Sequence, residues 1–182
     1  MIPVEYLWIA LIIVFGFVGS ARGLNRELGV TTILLLSLFV LKFGWERVGE
    51  RITGAVGSRL SADMVEAFFY IIVIAFVAFI SYEGVSLSFP VRQQRGVAKG
   101  TFGLPGGLLN GYLIIGTIWD VLNQARYLGL QVPYGSSGTT IAIADHLTQL
   151  HNAIAPYLPI TFINEFVFLI LGMILLLAIV LK

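Results

Sequence analysis

Five apolar stretches, each close to the length that crosses a lipid bilayer, constrain this chain more than any other feature. They are Val4–Ser20, Leu28–Phe43, Met64–Tyr82, Gly100–Leu122 and Thr161–Leu181. A spanning helix needs roughly 20 mostly apolar residues, with about 17 as a lower limit. The first two stretches are short, so they form either thin spans or a shallow hairpin that the other helices shield; we favour spans. The pattern predicts an all-α integral membrane protein.

Composition excludes several classes of protein. Of the 182 residues, 58% are hydrophobic and 12% are charged, and the mean hydropathy is +0.93. A soluble domain of this size could not bury so much apolar surface, which excludes a soluble enzyme and a disordered chain. A net charge of +1 gives no electrostatic footprint for nucleic acid. Cysteine is absent, so disulfides and thiolate metal sites are excluded.

Two connections have amphipathic patterns. In Gly44–Asp63, apolar residues such as Trp45 and Val48 fall on one side of a helical wheel and charged residues on the other. This favours a helix lying in the headgroup layer, and a solvated linker is the alternative because glycines weaken a helix. The longer connection, 124–160, begins with Gln131–Gly138, whose glycine, serine and proline content predicts a loop.

The second half of the 124–160 connection carries an apolar stripe. Ile143, Leu147, Leu150 and Ile154 recur at helical spacing, which predicts a helix of about three turns that docks on the membrane surface or on a partner. We therefore divide the chain into a four-span core at 1–123, an extracytoplasmic loop with an amphipathic helix at 124–160, and a fifth span at 161–182. Short basic connections mark the cytoplasmic side, which places the N-terminus and the 124–160 loop outside and the C-terminus inside.

The fourth span contains a regular glycine repeat. Gly103, Gly107 and Gly111 recur every four residues and lie on one face of a helix, where they allow a second backbone to approach closely. Asn110 is the main polar residue at mid-depth and is expected to hydrogen-bond across helices. The seam is predicted either within this chain, which we favour, or between two copies.

Candidate chemistry is sparse. The central parts of the five stretches carry no charge, which disfavours an ion path, and Asp120 and Glu165 lie near span ends. His146 and His151 are five residues apart, whereas a metal pair on one helix face would be four apart. We predict no catalytic residue, no metal site and no cofactor.

Two local patterns resemble one known family. The turn Arg22-Gly23-Leu24-Asn25-Arg26-Glu27 resembles the R-G-(F/L)-x-R-E turn of the colicin V production protein (CvpA) family. The glycine run from Gly103 to Gly111 resembles the glycine-rich last helix of that family, except that Asn110 stands where the family often has arginine. The resemblance covers residues 5–122, and the fifth span is an addition to it.

The resemblance implies a non-enzymatic protein of the bacterial inner membrane that acts in toxin production, secretion or envelope maintenance. It transfers no catalytic residue; the matching positions are Arg22, Gly23, Arg26, Glu27 and the three repeat glycines. The expected partners are the lipid bilayer and other membrane subunits or a second copy. The alternative is an accessory subunit of a larger respiratory, photosynthetic or secretory complex, and a small transporter is disfavoured by the uncharged span centres.

Overall fold

A computed structural model describes residues 3–56, 60–83, 97–134, 139–143 and 147–181. The helices are α1 (Val4–Arg22), α2 (Leu24–Val56), α3 (Ala62–Glu83), α4 (Val97–Gly111), α5 (Thr117–Gln124), α6 (Gln149–Ile154), α7 (Pro159–Phe162) and α8 (Glu165–Val180). A π-helical turn at Tyr112–Gly116 joins α4 to α5 without a break, and 3-10 turns lie at Arg126–Gly129 and Ala155–Tyr157. Strands β1 (Gln131–Tyr134) and β2 (Thr139–Ala142) pair antiparallel.

The helical class predicted from the sequence is confirmed. Within the described residues, four helices are long and apolar enough to cross a membrane, namely Val4–Arg22, Leu24–Val56, Ala62–Glu83 and Thr101–Gln124. The fifth apolar helix, α8, is shorter, at 16 residues.

Helix α2 lies at the centre of the bundle. It packs against α3, α4 and α8, whereas α1 packs mainly against α4. Its buried face carries Val30, Leu34 and Leu38, which meet Ile74 of α3 and Phe168 of α8 in one apolar core. Because α2 has neighbouring helices on three sides, it carries buried residues on several of its faces.

The expectation of a separate surface helix at Gly44–Asp63 is wrong, because α2 continues through Gly44 to Val56. One glycine costs a helix only about 1 kcal/mol, and the packing of Trp45 offsets that cost. The Trp45 ring lies 5.5 Å from the ring of Phe69 and 6.3 Å from that of Tyr70, both on α3. The amphipathic stretch is therefore the last third of α2.

The expectation of one unbroken helix over Thr161–Leu181 is also wrong. The helical path is interrupted at Ile163 and Asn164, and the Asn164 side chain caps α8 by accepting a hydrogen bond from Phe166 N at 2.9 Å. Lys42 of α2 donates to the carbonyl oxygens of Ile160 and Ile163, at 2.9 and 3.0 Å. These contacts satisfy backbone carbonyls that the helix break would otherwise leave without partners.

Two predictions for the 124–160 connection need correction. Residues 131–134 form a strand and not a loop, because they pair antiparallel with Thr139–Ala142; the rest of the predicted loop, 135–138, lies outside the described residues. The predicted three-turn helix from Ile143 is shorter, since the described helix α6 begins at Gln149. Its start follows Thr148, whose backbone N–H is taken by Glu5 of α1 and not by a helical carbonyl.

The three repeat glycines of α4 lie against α1. A Cβ atom at Gly111 would lie 2.7 Å from the Phe15 side chain and 2.9 Å from the Ile12 carbonyl oxygen. A Cβ at Gly107 would meet the Phe15 carbonyl and lie 2.8 Å from the Gly19 Cα. Gly103 likewise faces the Gly19 backbone. We call this contact of α1 and α4, between Ile12–Gly23 and Gly103–Gly111, the glycine seam; it lies within one chain.

Gly107→Leu should destabilise the folded protein strongly, because its side chain must displace backbone atoms of α1 that cannot move alone. Overpacking costs about 1–3 kcal/mol or more. Gly54→Leu is the matched control, since a Cβ at Gly54 meets nothing within 4 Å. The measurement is thermal unfolding in detergent; equal melting temperatures for the two variants would contradict the seam.

Candidate functional site

A fully buried carboxylate lies where four helices meet. Glu27, in the first turn of α2, has no exposed surface. Its Oε2 accepts a hydrogen bond from Tyr82 of α3 at 3.0 Å and another from Asn110 Nδ2 of α4 at 2.8 Å. Arg22, at the end of α1, brings its Nε to 3.5 Å from Glu27 Oε1. One side chain thus joins α1, α2, α3 and α4.

Asn110 connects this carboxylate to the middle of the bundle. It lies midway between the helix ends at Val97 and Gln124. Its Nδ2 also donates to the Glu27 backbone carbonyl at 3.0 Å, and its Oδ1 accepts from the Thr31 hydroxyl at 2.7 Å. Both ends of the amide are therefore used on α2. We call Arg22, Glu27, Thr31, Tyr82 and Asn110 the polar cluster.

Arg22 makes a second kind of contact in the cluster. Its guanidinium lies 4.3 Å from the centre of the Tyr82 ring, a cation–π distance. Its Nη2 lies 3.4 Å from the Ser81 carbonyl oxygen, which is at the long end of the hydrogen-bond range. The cation is thereby held at the edge of the bundle, with 15% of its side chain exposed, while its carboxylate partner is completely covered.

The two sequence motifs, the Arg22–Glu27 turn and the Gly103–Gly111 run, lie on the two sides of the contact between Glu27 and Asn110. Gly23 has a φ of +88°, which favours glycine and lets the chain reverse between α1 and α2 within one residue. Gly106 sits where a Cβ would lie 2.8 Å from the Glu27 side chain. The exposed side chain of Arg26 belongs to the turn but is outside the polar cluster. The structure therefore brings Arg22, Gly23, Glu27 and the glycine run together.

A second cluster lies at the opposite end of α1. The Oε1 atom of the fully buried Glu5 accepts hydrogen bonds from the backbone N–H and the hydroxyl of Thr148, both at 2.8 Å. His151, one turn further on, is 3% exposed, and its ring lies 5.8 Å from that of Trp119. Burial lowers the pKa of His151 below its ordinary 6.5, although the Glu5 carboxylate opposes the shift. These contacts dock the 147–158 segment on the bundle.

An unusual backbone supports this second cluster. Arg126, Tyr127 and Leu128 all have positive φ values, of 49°, 54° and 57°. Non-glycine residues rarely adopt this conformation, and it persists where surrounding contacts determine it. Tyr127 supplies such a contact, because its hydroxyl accepts a hydrogen bond from the Trp119 indole at 3.0 Å and its side chain is buried. Burial raises the Tyr127 pKa.

Asp120 and Glu165 have separate partners. Asp120 accepts from the Thr161 backbone N–H and hydroxyl, both at 2.8 Å, and from Gln124 at 3.0 Å. Glu165 lies 3.9 Å from Lys42 Nζ. Among the residues that the structure describes, no group of three or more histidine, cysteine, aspartate or glutamate side chains could hold a metal ion; His146 lies outside the described residues.

Sequence reasoning identified Arg22 and Glu27 in one motif and Asn110 in another, but it predicted no contact between the two motifs. It missed Tyr82, Thr31 and Glu5 altogether. A helical wheel gives a partial signal for Thr31, which follows Glu27 by four residues and so lies on the same face. Tyr82 and Glu5 are end residues of apolar stretches, and their burial depends on contacts with distant segments that a local pattern does not contain.

The fold and the polar cluster define a helical bundle with four helices of membrane-spanning length and a buried charged contact between them. No family model, curated protein or solved structure matches the chain.

Arg22→Met should destabilise the protein more than Glu27→Gln does. The first change leaves a fully buried carboxylate without this cation, and breaking a buried pair costs about 3–5 kcal/mol. The second leaves a cation that is partly exposed and still contacts the Tyr82 ring. The double variant should lose much less than the sum of the two. Unfolding free energies of the four proteins in detergent test this; additive losses would contradict the pair.

The 147–158 segment should become less stable in acid. The lowered pKa of His151 means that the folded state favours the neutral imidazole. This contribution to stability is complete above pH 6.5 and is lost as the pH falls below that value. Melting temperatures are measured by tryptophan fluorescence from about pH 8 to about pH 5. The melting temperature should fall with pH, and it should fall less in His151→Gln. His146 remains in both proteins. If the pH dependence of the melting temperature is the same in both, His151 is not its cause.

Proposed function

We propose that this chain is a non-enzymatic multi-pass protein of the bacterial inner membrane, related to the colicin V production family. It would act in toxin production, secretion or envelope maintenance by packing with partner membrane proteins. One observation carries the proposal. The two motifs on which the resemblance rests are about 80 residues apart, yet Glu27 and Asn110 meet in one buried contact at 2.8 Å.

The geometry of the polar cluster favours a structural role over catalysis or transport. Asn110 is engaged at both ends, and the Oε2 of Glu27 accepts two hydrogen bonds from neighbouring helices. These hydrogen bonds, with the 3.5 Å ion pair from Arg22 to the other carboxylate oxygen, tie α1, α3 and α4 to α2 and so rigidify the bundle. A transported ion or a reacting substrate would have to displace these contacts.

Membrane insertion of all five apolar segments is part of the proposal. Helix α8 is 16 residues long, or about 24 Å, and reaches the usual hydrocarbon thickness of about 30 Å only with its flanking residues. It runs along α2, with Gly172 against Leu36 and Lys42 beside Glu165. Those contacts hold the first turn and the middle of α8 against α2, which supports a fifth span that runs beside α2.

An accessory subunit of a larger complex is the second candidate, and α8 is the observation that favours it. Its packing in this chain is mainly against α2, and large apolar side chains on its outer face are exposed. Ile170, Ile174 and Leu177 are each about half exposed or more. In a complex, this face would contact the neighbouring subunit.

Mild extraction and mass spectrometry of co-purifying proteins would test the function. A photo-crosslinking residue at Ile174 should capture a defined membrane protein, while the same residue at the fully buried Phe168 should capture none. If Ile174 captures only lipid and the purified protein conducts ions or solutes in liposomes, the partner-binding proposal is wrong and a transporter replaces it.

The proposed orientation places the N-terminus and the 147–158 segment outside. The chain has no cysteine, so single cysteines can be placed at Arg26, Gly54 and Asn152, all exposed. An impermeant thiol reagent should label Gly54→Cys and Asn152→Cys in intact cells, and Arg26→Cys after the membrane is opened. Labelling of Arg26→Cys alone in intact cells would invert the orientation.

A further inference from the structure

An apolar groove runs along the outer side of α2, between this helix and α3. It has a volume of about 530 Å³, and its lining includes Ile33, Ser37, Val40, Gly44 and Val48 of α2 and Phe69 of α3. The volume lies within the range of small-molecule sites, roughly 300–1,000 Å³. Apart from Ser37 and the Trp45 indole, the lining side chains carry no polar atom.

The dimensions of the groove favour a thin apolar occupant. From Ile33 to Val48, α2 rises about 22 Å. The hydrocarbon of one leaflet is about half of the usual 30 Å, so one extended acyl chain fits along the groove.

Near the Val48 end of the groove, the arginines and the glutamates of α2 lie on different faces of the helix. Arg51 follows Gly44 by seven residues, close to two helical turns, and so lies in line with the groove. Arg47 lies about 60° from that line, with its guanidinium over the Phe43 ring. Glu46 and Glu50 point about 160° and 120° away from Gly44. All four are exposed, so along α2 the positive charge lies nearer the groove and the negative charge lies on the opposite face. On the α3 side, one carboxylate lies beside the groove, because Glu66 hydrogen-bonds with the Trp45 side chain.

We propose that this groove binds one acyl chain of an anionic glycerophospholipid, whose phosphate is held by Arg51 with help from Arg47. Basic pockets between spanning helices bind anionic headgroups on the cytoplasmic side of membranes, and the same chemistry would act here in the opposite leaflet, where the proposed orientation places Arg51. Trp45 lies at the same end of the groove, as expected of an aromatic residue at the membrane interface. The inference rests on the proposed membrane insertion and adds a specific ligand to it.

Two glycine variants distinguish lipid binding in the groove from lipid binding elsewhere on the protein. A Cβ at Gly44 meets nothing within 4 Å, so Gly44→Leu should fill the groove without disturbing the fold. Gly54→Leu is the matched control, because Gly54 is equally unobstructed and lies beyond the groove lining. Neither variant should melt below the parent, because leucine favours a helix more than glycine does and meets no obstruction at either position.

Trp45 supplies the readout. The protein is reconstituted in phosphatidylcholine vesicles that contain a small matched fraction of brominated phosphatidylglycerol or brominated phosphatidylcholine. Bromine quenches nearby tryptophan fluorescence, and Trp45→Phe gives the background from Trp8 and Trp119. Trp45 should be quenched more by the anionic lipid, and Gly44→Leu should remove the excess while Gly54→Leu keeps it. Arg51→Gln should weaken the preference about fivefold, the expected effect of one arginine.

Three outcomes would overturn the proposal. Equal quenching by the two brominated lipids would show that the groove has no preference for an anionic headgroup. An excess that persists in Gly44→Leu would place the lipid elsewhere. If the parent is a dimer, and Gly44→Leu is a monomer that keeps its bound lipid, the groove binds a second copy of the chain. Quenching by neither lipid would instead contradict membrane insertion, and so the proposed function itself.

Discussion

The close backbone contact between α1 and α4 is the constraint on which the rest of the structure depends. In a membrane, lipid tails are as apolar as leucine, so helices associate through close packing and hydrogen bonds and not through the hydrophobic effect. At Gly103, Gly107 and Gly111, a Cβ would collide with backbone atoms of α1. This approach also brings Gly106 against Glu27 and so places Asn110 within reach of it.

The glycine seam and the polar cluster perform different tasks. A glycine every four residues allows two helices to approach, but a shift of one helical turn would still place glycines opposite α1. The Asn110–Glu27 contact does not tolerate that shift, because it would leave a buried carboxylate and a buried amide without partners. Fixing register is the best supported role of buried polar groups. Packing therefore supplies attraction between α1 and α4, and the polar cluster selects one alignment.

The sequence predicted the elements better than their ends and contacts. Apolar stretches located the four long helices because a helix of membrane-spanning length and hydropathy appears in the sequence as one apolar run, whatever its neighbours are. The break at Asn164 was missed because the segment is apolar on both sides, and the break depends on Lys42, more than 100 residues away. The length of α2 was missed for a similar reason, since Trp45 gains its partners from α3.

The contacts of the candidate site could not be predicted from the sequence either. The sequence singled out Arg22, Glu27, Asn110 and the repeat glycines, but as a turn and a packing face with no predicted contact between them. The sequence placed Glu27 in a turn between two apolar stretches and gave no sign that its carboxylate is buried. It is buried because α1 and α2 are joined by the single residue Gly23, whose positive φ turns the chain sharply enough to cover the carboxylate. The geometry of one residue thus decides the environment of another.

Helix α2 unites the two ends of the molecule, and its length explains the distribution of its charges. At 33 residues it extends about 50 Å, well beyond the hydrocarbon thickness of about 30 Å. Glu27 lies at one end, where α1, α3 and α4 surround it, so its charge needs partners within the protein. The last third of α2 extends past the residues that face α8 and is largely exposed, apart from its contact with α3 at Trp45. There, opposite charges can lie on opposite faces, and the arginine face follows the apolar groove. The same helix therefore carries an internal charge that fixes register and external charges that can meet the membrane surface.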